Sequence, residues 1–452
     1  MVSAENLHLD VLELIFFYLD GNDLCSVALV SKVFYASVIP RLYHKILFRV
    51  NHAKRYPQLK SPFHAILARK DLAIHVRQVE ICSIPALKSQ HHPTFLSECS
   101  QALDLCSNLR SFRCTENALP PFLLPIQDKE RLQELQVHAN LTTAQSEKLT
   151  TIRGNLTNLC LDYGSWNIID ALPKWIPNFV NTLTSLCLYA IEQMSINLKE
   201  NVLSEVLRQL PGLLGLHLVG CGKLEHAAVL RLVSHTPLLE SLSLSTTVSI
   251  PSINSESASP LTKPAPSLQH LKHLALDARY SMMSSPTPQI LSSILEHIQS
   301  SVPGLVSFMM RLPELKIVAA KDFIEKLVKL HGSTLRILAF LDCAVSLESI
   351  STIIRSCTNL ERLELPIPTK DIVRSPLRAS NLQIIVDTDT HSGHGHGRVS
   401  LSQENACLVM IRAPQLRKIV SGKRIWKVTF LSQALILQPV VTIVISEIIP
   451  WL

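Results

Sequence analysis

The chain has 452 residues, too many for one ordinary globular core, so several domains or an elongated array of repeats is expected. Hydrophobic residues make up 47% and charged residues 17%, a balance that excludes global disorder. The formal net charge is +7, and between Arg41 and Lys88 ten Lys or Arg stand against Asp71 and Glu80, a local balance of +8; with no nucleic-acid-binding motif around it, this excess reads as a solvated linking surface.

The N-terminal stretch LHLDVLELIFFYLDGN, from Leu7, places Leu12, Ile15, Phe16 and Leu19 at i, i+3, i+4 and i+7, the spacing of one helical face. Asp20, Gly21 and Asn22 break that helix, and Asp23 is expected to cap the next, in which Leu24, Val27 and Ala28 repeat the spacing. A third short helix containing Phe34 and Val38 is expected to end at Pro40. A secretory signal does not fit, because the basic start, the unbroken apolar run and the small-residue cleavage site are all missing. A unit of roughly 40 residues is near the lower limit for an independent core, so it is expected to complete its packing against something else.

The run LHLDVLELIFFYLDGNDLCSVALVSKVFYASVIPRLYHKI resembles an F-box. Asp23-Leu24, Val30-Ser31-Lys32, Phe34 and Leu42-Tyr43 match that pattern in order and separation, while its early Leu-Pro reads Leu7-His8 here. The resemblance implies a three-helix module over residues 5–46. Residues 47–105 then read as a basic linker and entry to the next domain.

From about residue 106 a phrase of the form Leu-x-x-Leu-x-Leu keeps returning, as in NLTNLCLDYG at Asn155, LLGLHLVGC at Leu213, HLKHLALDA at His270 and NLERLELP at Asn359. Its leading apolar positions are Leu109, Leu132, Leu156, Leu183, Leu213, Leu239, Leu271, Leu305, Leu335 and Leu360, spaced 23 to 34 residues apart. The last two leucines of each phrase alternate with other residues, as a short strand with one buried face requires. Helical periodicity fills the intervals, for example in LKENVLSEVLRQL and SLESISTIIRSC. Strand and helix in alternation imply parallel strands joined by crossovers. The pattern resembles leucine-rich repeats over about residues 106–385, and the fold class expected is α/β, a helical F-box followed by a repeat solenoid over 106–424 with strands on the concave face and helices on the convex one. Cys221 and Cys343, each three residues beyond the last strand leucine or its equivalent, read as buried turn residues.

Two insertions, near 246–266 and 387–405, interrupt the repeats. The first is rich in Ser and Pro; the second holds His391, His394 and His396 among glycines and reads as a flexible loop, with no metal assigned. The hydrophobic C-terminal segment, 425–452, contains the uncharged run from Val428 to Ser446, which Gln433, Gln438 and Pro439 make a closing strand or tail in preference to a membrane anchor. Eleven cysteines with no CxxC pair favour a reducing compartment, hence a cytoplasmic or nuclear location.

No phosphate-binding glycine loop, nucleophile elbow or zinc pattern occurs, so a non-catalytic binding role without cofactors is expected. The combined resemblance implies a substrate receptor of a Skp-cullin-F-box ubiquitin ligase, with a Skp-family adaptor and through it a cullin as partners. It assigns Leu7, Leu9, Leu12, Ile15, Leu24 and Val30 to the adaptor-facing and core contacts. Strand alternation puts Tyr189, His217, Asp277, Arg311, Arg362 and Glu364 on the outward sheet face, where a protein target would be read. That face mixes both charge signs, which suits a protein better than a nucleic acid. An interaction scaffold acting outside any ligase and a receptor tethered through the C-terminal segment are the alternatives.

Overall fold

The computed structural model describes residues 7–19, 21–189, 198–221, 224–246, 268–278, 288–299, 302, 304–312, 317–366, 381–388, 401–421, 424–431 and 434–440. The Ser/Pro-rich insertion from Val248 to Ser267, the histidines at 391, 394 and 396, and the chain after Val440 lie outside the described residues. The chain divides into two compact units, Met1–Ala190 and Ile191–Leu452.

The first unit begins with three helices, α1 (Leu9–Phe16), α2 (Gly21–Ala28) and α3 (Lys32–Leu42). Their core is Leu12, Phe16, Leu24 and Val38, with Leu7, Leu19, Val27, Ala28, Phe34 and Leu42 packed against it. The rings of Phe16 and Phe34 meet edge to face, 5.3 Å apart. Ser31 caps α3, its Oγ accepting from the Phe34 amide at 3.2 Å. Two local expectations are corrected. Helix α2 starts at Gly21, so Asp23 lies in its first turn, where a carboxylate still complements the helix dipole. Helix α3 runs through Pro40 to Leu42, because a proline in the last turn forfeits little and the Tyr43 amide still donates to the Ile39 carbonyl at 3.1 Å.

Strands follow at once. In the first unit β1 (Lys45–Phe48), β2 (Gln78–Ile81), β5 (Ser111–Cys114), β6 (Glu134–His138), β7 (Asn158–Asp162) and β8 (Ser185–Tyr189) pair in parallel in that order, while β3 (Ala86–Leu87) and β4 (Gln90–His91) make a separate antiparallel hairpin. The parallel ladder therefore begins at Lys45, in the last residues of the stretch expected as helical module, and β1 and β2 carry it into the stretch expected as linker and entry. In the second unit β9 (Gly215–Val219), β10 (Ser241–Ser245), β11 (His273–Asp277), β12 (Ser307–Arg311), β13 (Ile337–Leu341), β14 (Arg362–Leu365), β15 (Ile384–Asp387) and β16 (Lys418–Ser421) are parallel neighbours. Antiparallel β17 (Arg424–Leu431) and β18 (Ala434–Val440) close the series and take in the start of the apolar C-terminal run.

The repeat phrase accounts for the register. All ten leading leucines are buried, none more than 2% exposed, and each fixes the entry of its strand. Within the strands the paired residues Leu159 and Leu161, Leu216 and Leu218, and Leu242 and Leu244 point inward together. Cys221 and Cys343 are buried in the turns after β9 and β13, and burial pushes the Cys343 thiol up to about 12. Gly220 (φ 78°) and Asp342 (φ 54°), at those same turns, adopt the left-handed backbone that lets the chain leave the sheet.

Candidate functional site

The three N-terminal helices bury only one side. Leu14 is 69% exposed, Phe17 66%, Tyr18 86% and Leu29 88%, and Leu9, Val11, Ile15, Val30 and Val33 are also exposed. Scattered exposed leucines are ordinary, but this many on a module of three short helices form an apolar surface that water does not favour. Arg41 stacks its guanidinium over the Phe17 ring, 4.8 Å from the centroid. The residues assigned to adaptor and core contacts separate accordingly. Leu12 and Leu24 are core, Leu7 packs on the core edge, and Leu9, Ile15 and Val30 are surface.

A second feature lies at the start of the first unit's strands. The Arg77 amide donates to the His44 carbonyl at 3.0 Å, and the Arg110 amide to the Arg77 carbonyl at 2.7 Å, so the three residues occupy successive rungs. Arg77 Nη1 and Asn108 Nδ2 both donate to the Ile74 carbonyl, at 2.8 and 2.9 Å, and Arg131 Nη1 donates to Asn108 Oδ1 at 2.9 Å. Among the described residues none of these three arginines reaches a carboxylate, whereas Lys45 and Arg113 both pair with Glu80, at 2.8 and 3.5 Å. Burial first, then Arg110 and Arg131, holds the Arg77 pKa down. Part of the basic excess read from sequence is thus concentrated into one cluster.

The outward sheet face of the second unit is less exposed than alternation alone suggests. His217 is 2% exposed, its Nδ1 lying 2.8 Å from Ser243 Oγ, and burial holds its pKa down to about 4. Asp277 is 7% and Glu364 9% exposed. Arg311 Nε donates to Asp342 Oδ2 at 2.6 Å, and Arg362 Nε to Glu364 Oε1 at 2.5 Å, so both arginines are held in place and half-buried. Asp277 and Arg311 share a small hollow with Val219, Ser243, Ala275, Met309 and Leu341, an apolar floor with charge at its rim. Tyr189, at the end of β8 in the first unit, is 9% exposed. Sequence alternation found the face but not its burial, because residues on flanking rungs cover one another wherever the central side chains are small. The exposed apolar residues Leu14, Tyr18 and Leu29 are not singled out by the sequence pattern, because apolar periodicity marks a stripe without saying which apolar residues beside it stay exposed.

Among the described residues no group of three His, Cys, Asp or Glu is placed to hold a metal, and no helix is long and apolar enough to cross a membrane.

Comparison with known proteins identifies the first module. The F-box-like family model matches residues 9–49. No curated protein matches the chain. Among solved structures, the yeast complex of Rad7 and Elc1 contains a chain with 15% identity, covering 88% of this chain and 94% of that one at a TM-score of 0.45. A leucine-rich repeat-containing protein from Legionella pneumophila, LegL7, shares 15% identity over 69% of this chain and 96% of its own, at a TM-score of 0.38. A Leptospira interrogans LRR protein shares 14% over 77% and 84%, at 0.29. Likeness at this level bears on fold alone. The expectation of a Skp-family adaptor is corrected: the yeast chain was solved with Elc1, and no adaptor of the Skp family is assigned here. The chain carries an F-box-like domain followed by a leucine-rich-repeat-like solenoid.

Proposed function

We propose that the protein recruits a protein target to a cullin-RING ubiquitin ligase, with its F-box-like helices docked on a small adaptor subunit of that ligase. The observation that carries this reading is the apolar surface of Leu9, Leu14, Ile15, Phe17, Tyr18, Leu29 and Val30 on a domain that the F-box-like family model matches. A buried aromatic and aliphatic centre is what an obligate partner interface needs, and Leu12 and Leu24 beneath it set the helix spacing.

The target is assigned to the outward sheet face. In the second unit Arg311 and Arg362, each preoriented by a carboxylate, are the anchors, with Asp277 and Glu364 adding charge and His217 hydrogen-bonded to Ser243; on the first unit's own face the anchor is Tyr189. Preorientation lowers the entropy lost when a long side chain is immobilised on binding. The domain division follows the same reading: a docking module over 5–46, a basic entry segment over 47–105, the repeats over 106–424 and the terminal segment 425–452.

The test is purification of the full chain from cells under proteasome inhibition, followed by mass spectrometry of what accompanies it. A ligase adaptor, a cullin and an accumulating target support the proposal. An adaptor without cullin or ubiquitylated target supports a scaffold acting outside a ligase, and absence of any adaptor overturns the docking assignment.

A further inference from the structure

Two cysteines on adjacent rungs of the first unit take no part in the reading above. Cys160, in β7, and Cys187, in β8, are register partners in a parallel pair. Their neighbours Leu159, Leu161, Leu186 and Leu188 are buried in the core, none more than 1% exposed, so alternation turns both thiols to the opposite face of the sheet. The Cys160 thiol donates to Asp162 Oδ1 at 3.4 Å. Asp162 Oδ2 accepts from Gln136 Nε2 at 3.2 Å. Cys160 is half-buried and Cys187 is buried, so Cys160 is the more accessible residue of the pair.

The geometry admits a bond. Neighbouring strands lie about 4.8 Å apart, inside the range of roughly 4.4 to 6.8 Å that Cα atoms of a disulfide span. In-register side chains leave the sheet side by side, however, and a bridge wants its Cβ atoms closer, at about 3.8 Å. A bridge here would be strained, and strain raises the reduction potential, which marks a labile disulfide and not a structural one. No third ligand is placed to turn the pair into a metal site among the described residues.

We propose that Cys160 and Cys187 are a reversible dithiol–disulfide site that exchanges with small disulfides of the glutathione class. The Cys160 thiolate attacks one sulfur of the small disulfide, expelling one thiolate and leaving a mixed disulfide. The Cys187 thiolate then attacks the Cys160 sulfur and expels the second. Two protein thiols lose two electrons and their protons, and one small disulfide becomes two small thiols. Asp162 loses the Cys160 donor and keeps Gln136, so the change reaches the outward face at β6, β7 and β8. The neighbouring Cys187 thiol, burial and the nearby Asp162 charge hold the Cys160 thiol well above its ordinary value, so exchange quickens as pH rises.

The test uses the full chain in buffers of graded oxidised-to-reduced glutathione ratio, with alkylation of remaining thiols and peptide mapping. The expected result is a Cys160–Cys187 linked peptide, the loss of two alkylatable thiols, and their return when reduced glutathione is in excess. Cys160→Ser and Cys187→Ser should each abolish the linked peptide, and Cys187→Ser should leave glutathione attached at Cys160; Cys82→Ser should change nothing. A wild-type chain that accumulates only the mixed disulfide at Cys160, or in which neither thiol is modified while exposed Cys25 is, overturns the proposal. The result does not depend on adaptor binding, so it stands or falls separately from the ligase reading.

Discussion

The backbone amide of Leu305 donates to Nδ1 of His331, 3.4 Å away and 26 residues further along the chain. Leu305 is the leading leucine of the β12 phrase, and His331 ends the helix Lys321–His331 that follows β12. Because Nδ1 accepts, the ring proton sits on Nε2, and the neutral imidazole ties one repeat's strand entry to its helix exit. Its carbonyl accepts from the Leu335 amide at 3.0 Å, which carries the link to the next repeat.

Acid should therefore destabilise the second unit before its carboxylates titrate. Burial holds His331, like His217, down to about 4, whereas an unfolded histidine titrates near 6.5. Below 6.5 the unfolded chain binds protons that the folded chain refuses, so stability present above 6.5 is lost as pH falls towards 4, at most by about 3 kcal/mol per histidine. Urea midpoints measured between those limits should fall with pH, and His331→Gln should flatten the slope. A slope identical in wild type and variant would remove His331 from this account.

Gly304 stands directly before that leucine. A Cβ there would lie 2.6 Å from Thr334 Oγ1 and 2.7 Å from its Cγ2. Thr334 cannot swing away cheaply, since its hydroxyl donates to the Leu305 carbonyl at 2.7 Å. Gly304→Ala should cost about 1 to 3 kcal/mol through overpacking. Gly212→Ala, with open space around the same atom, should cost less than about 1 kcal/mol. Thermal melts of the two variants test the contrast, and equal shifts would count against it.

In the F-box-like helices, core and surface substitutions should separate. Leu24→Ala empties a core position and should lower stability by about 2 to 5 kcal/mol. Leu29→Asp changes a side chain that is 88% exposed and should leave the fold intact while abolishing co-purification of the adaptor. Circular dichroism and pull-down on the same samples decide it; an adaptor retained by folded Leu29→Asp would move the docking surface elsewhere.

The cluster of Arg77, Arg110 and Arg131 should make the first unit respond to salt. Like charges on neighbouring rungs repel, and added salt screens them. Arg110→Gln should raise the urea midpoint in low salt, and the gain should vanish at about 1 M salt, where the screening length is about 3 Å. A gain that is the same at both salt concentrations would indicate a packing effect instead.

Much of this architecture is legible in the sequence because leucine burial repeats. The leading leucines from Leu109 to Leu360 and the alternation after them fix strand, register and inward face without long-range information. The strands KILF, at Lys45, and QVEI, at Gln78, escape that count, since neither has a leading leucine and both lie among basic residues. Burial on the outward face escapes it too: whether His217 is exposed depends on Ser243, one rung away and 26 residues later. The docking surface is hidden for a related reason, since apolar periodicity marks a helical stripe but does not tell Leu24 inside from Leu29 outside.

The turn from parallel to antiparallel pairing at β17 has a bearing on self-assembly. A parallel ladder that simply stopped at β16 would present a row of free amides and carbonyls, a template for a strand from another molecule. Instead β17 folds back along β16, and β18, the last strand among the described residues, carries Pro439, a residue with no amide hydrogen to offer. A chain cut after Ser421 would lose both guards and expose β16 as a sticky edge, and its concentration-dependent clustering in solution would measure how much that hairpin contributes to keeping the protein apart from its own copies.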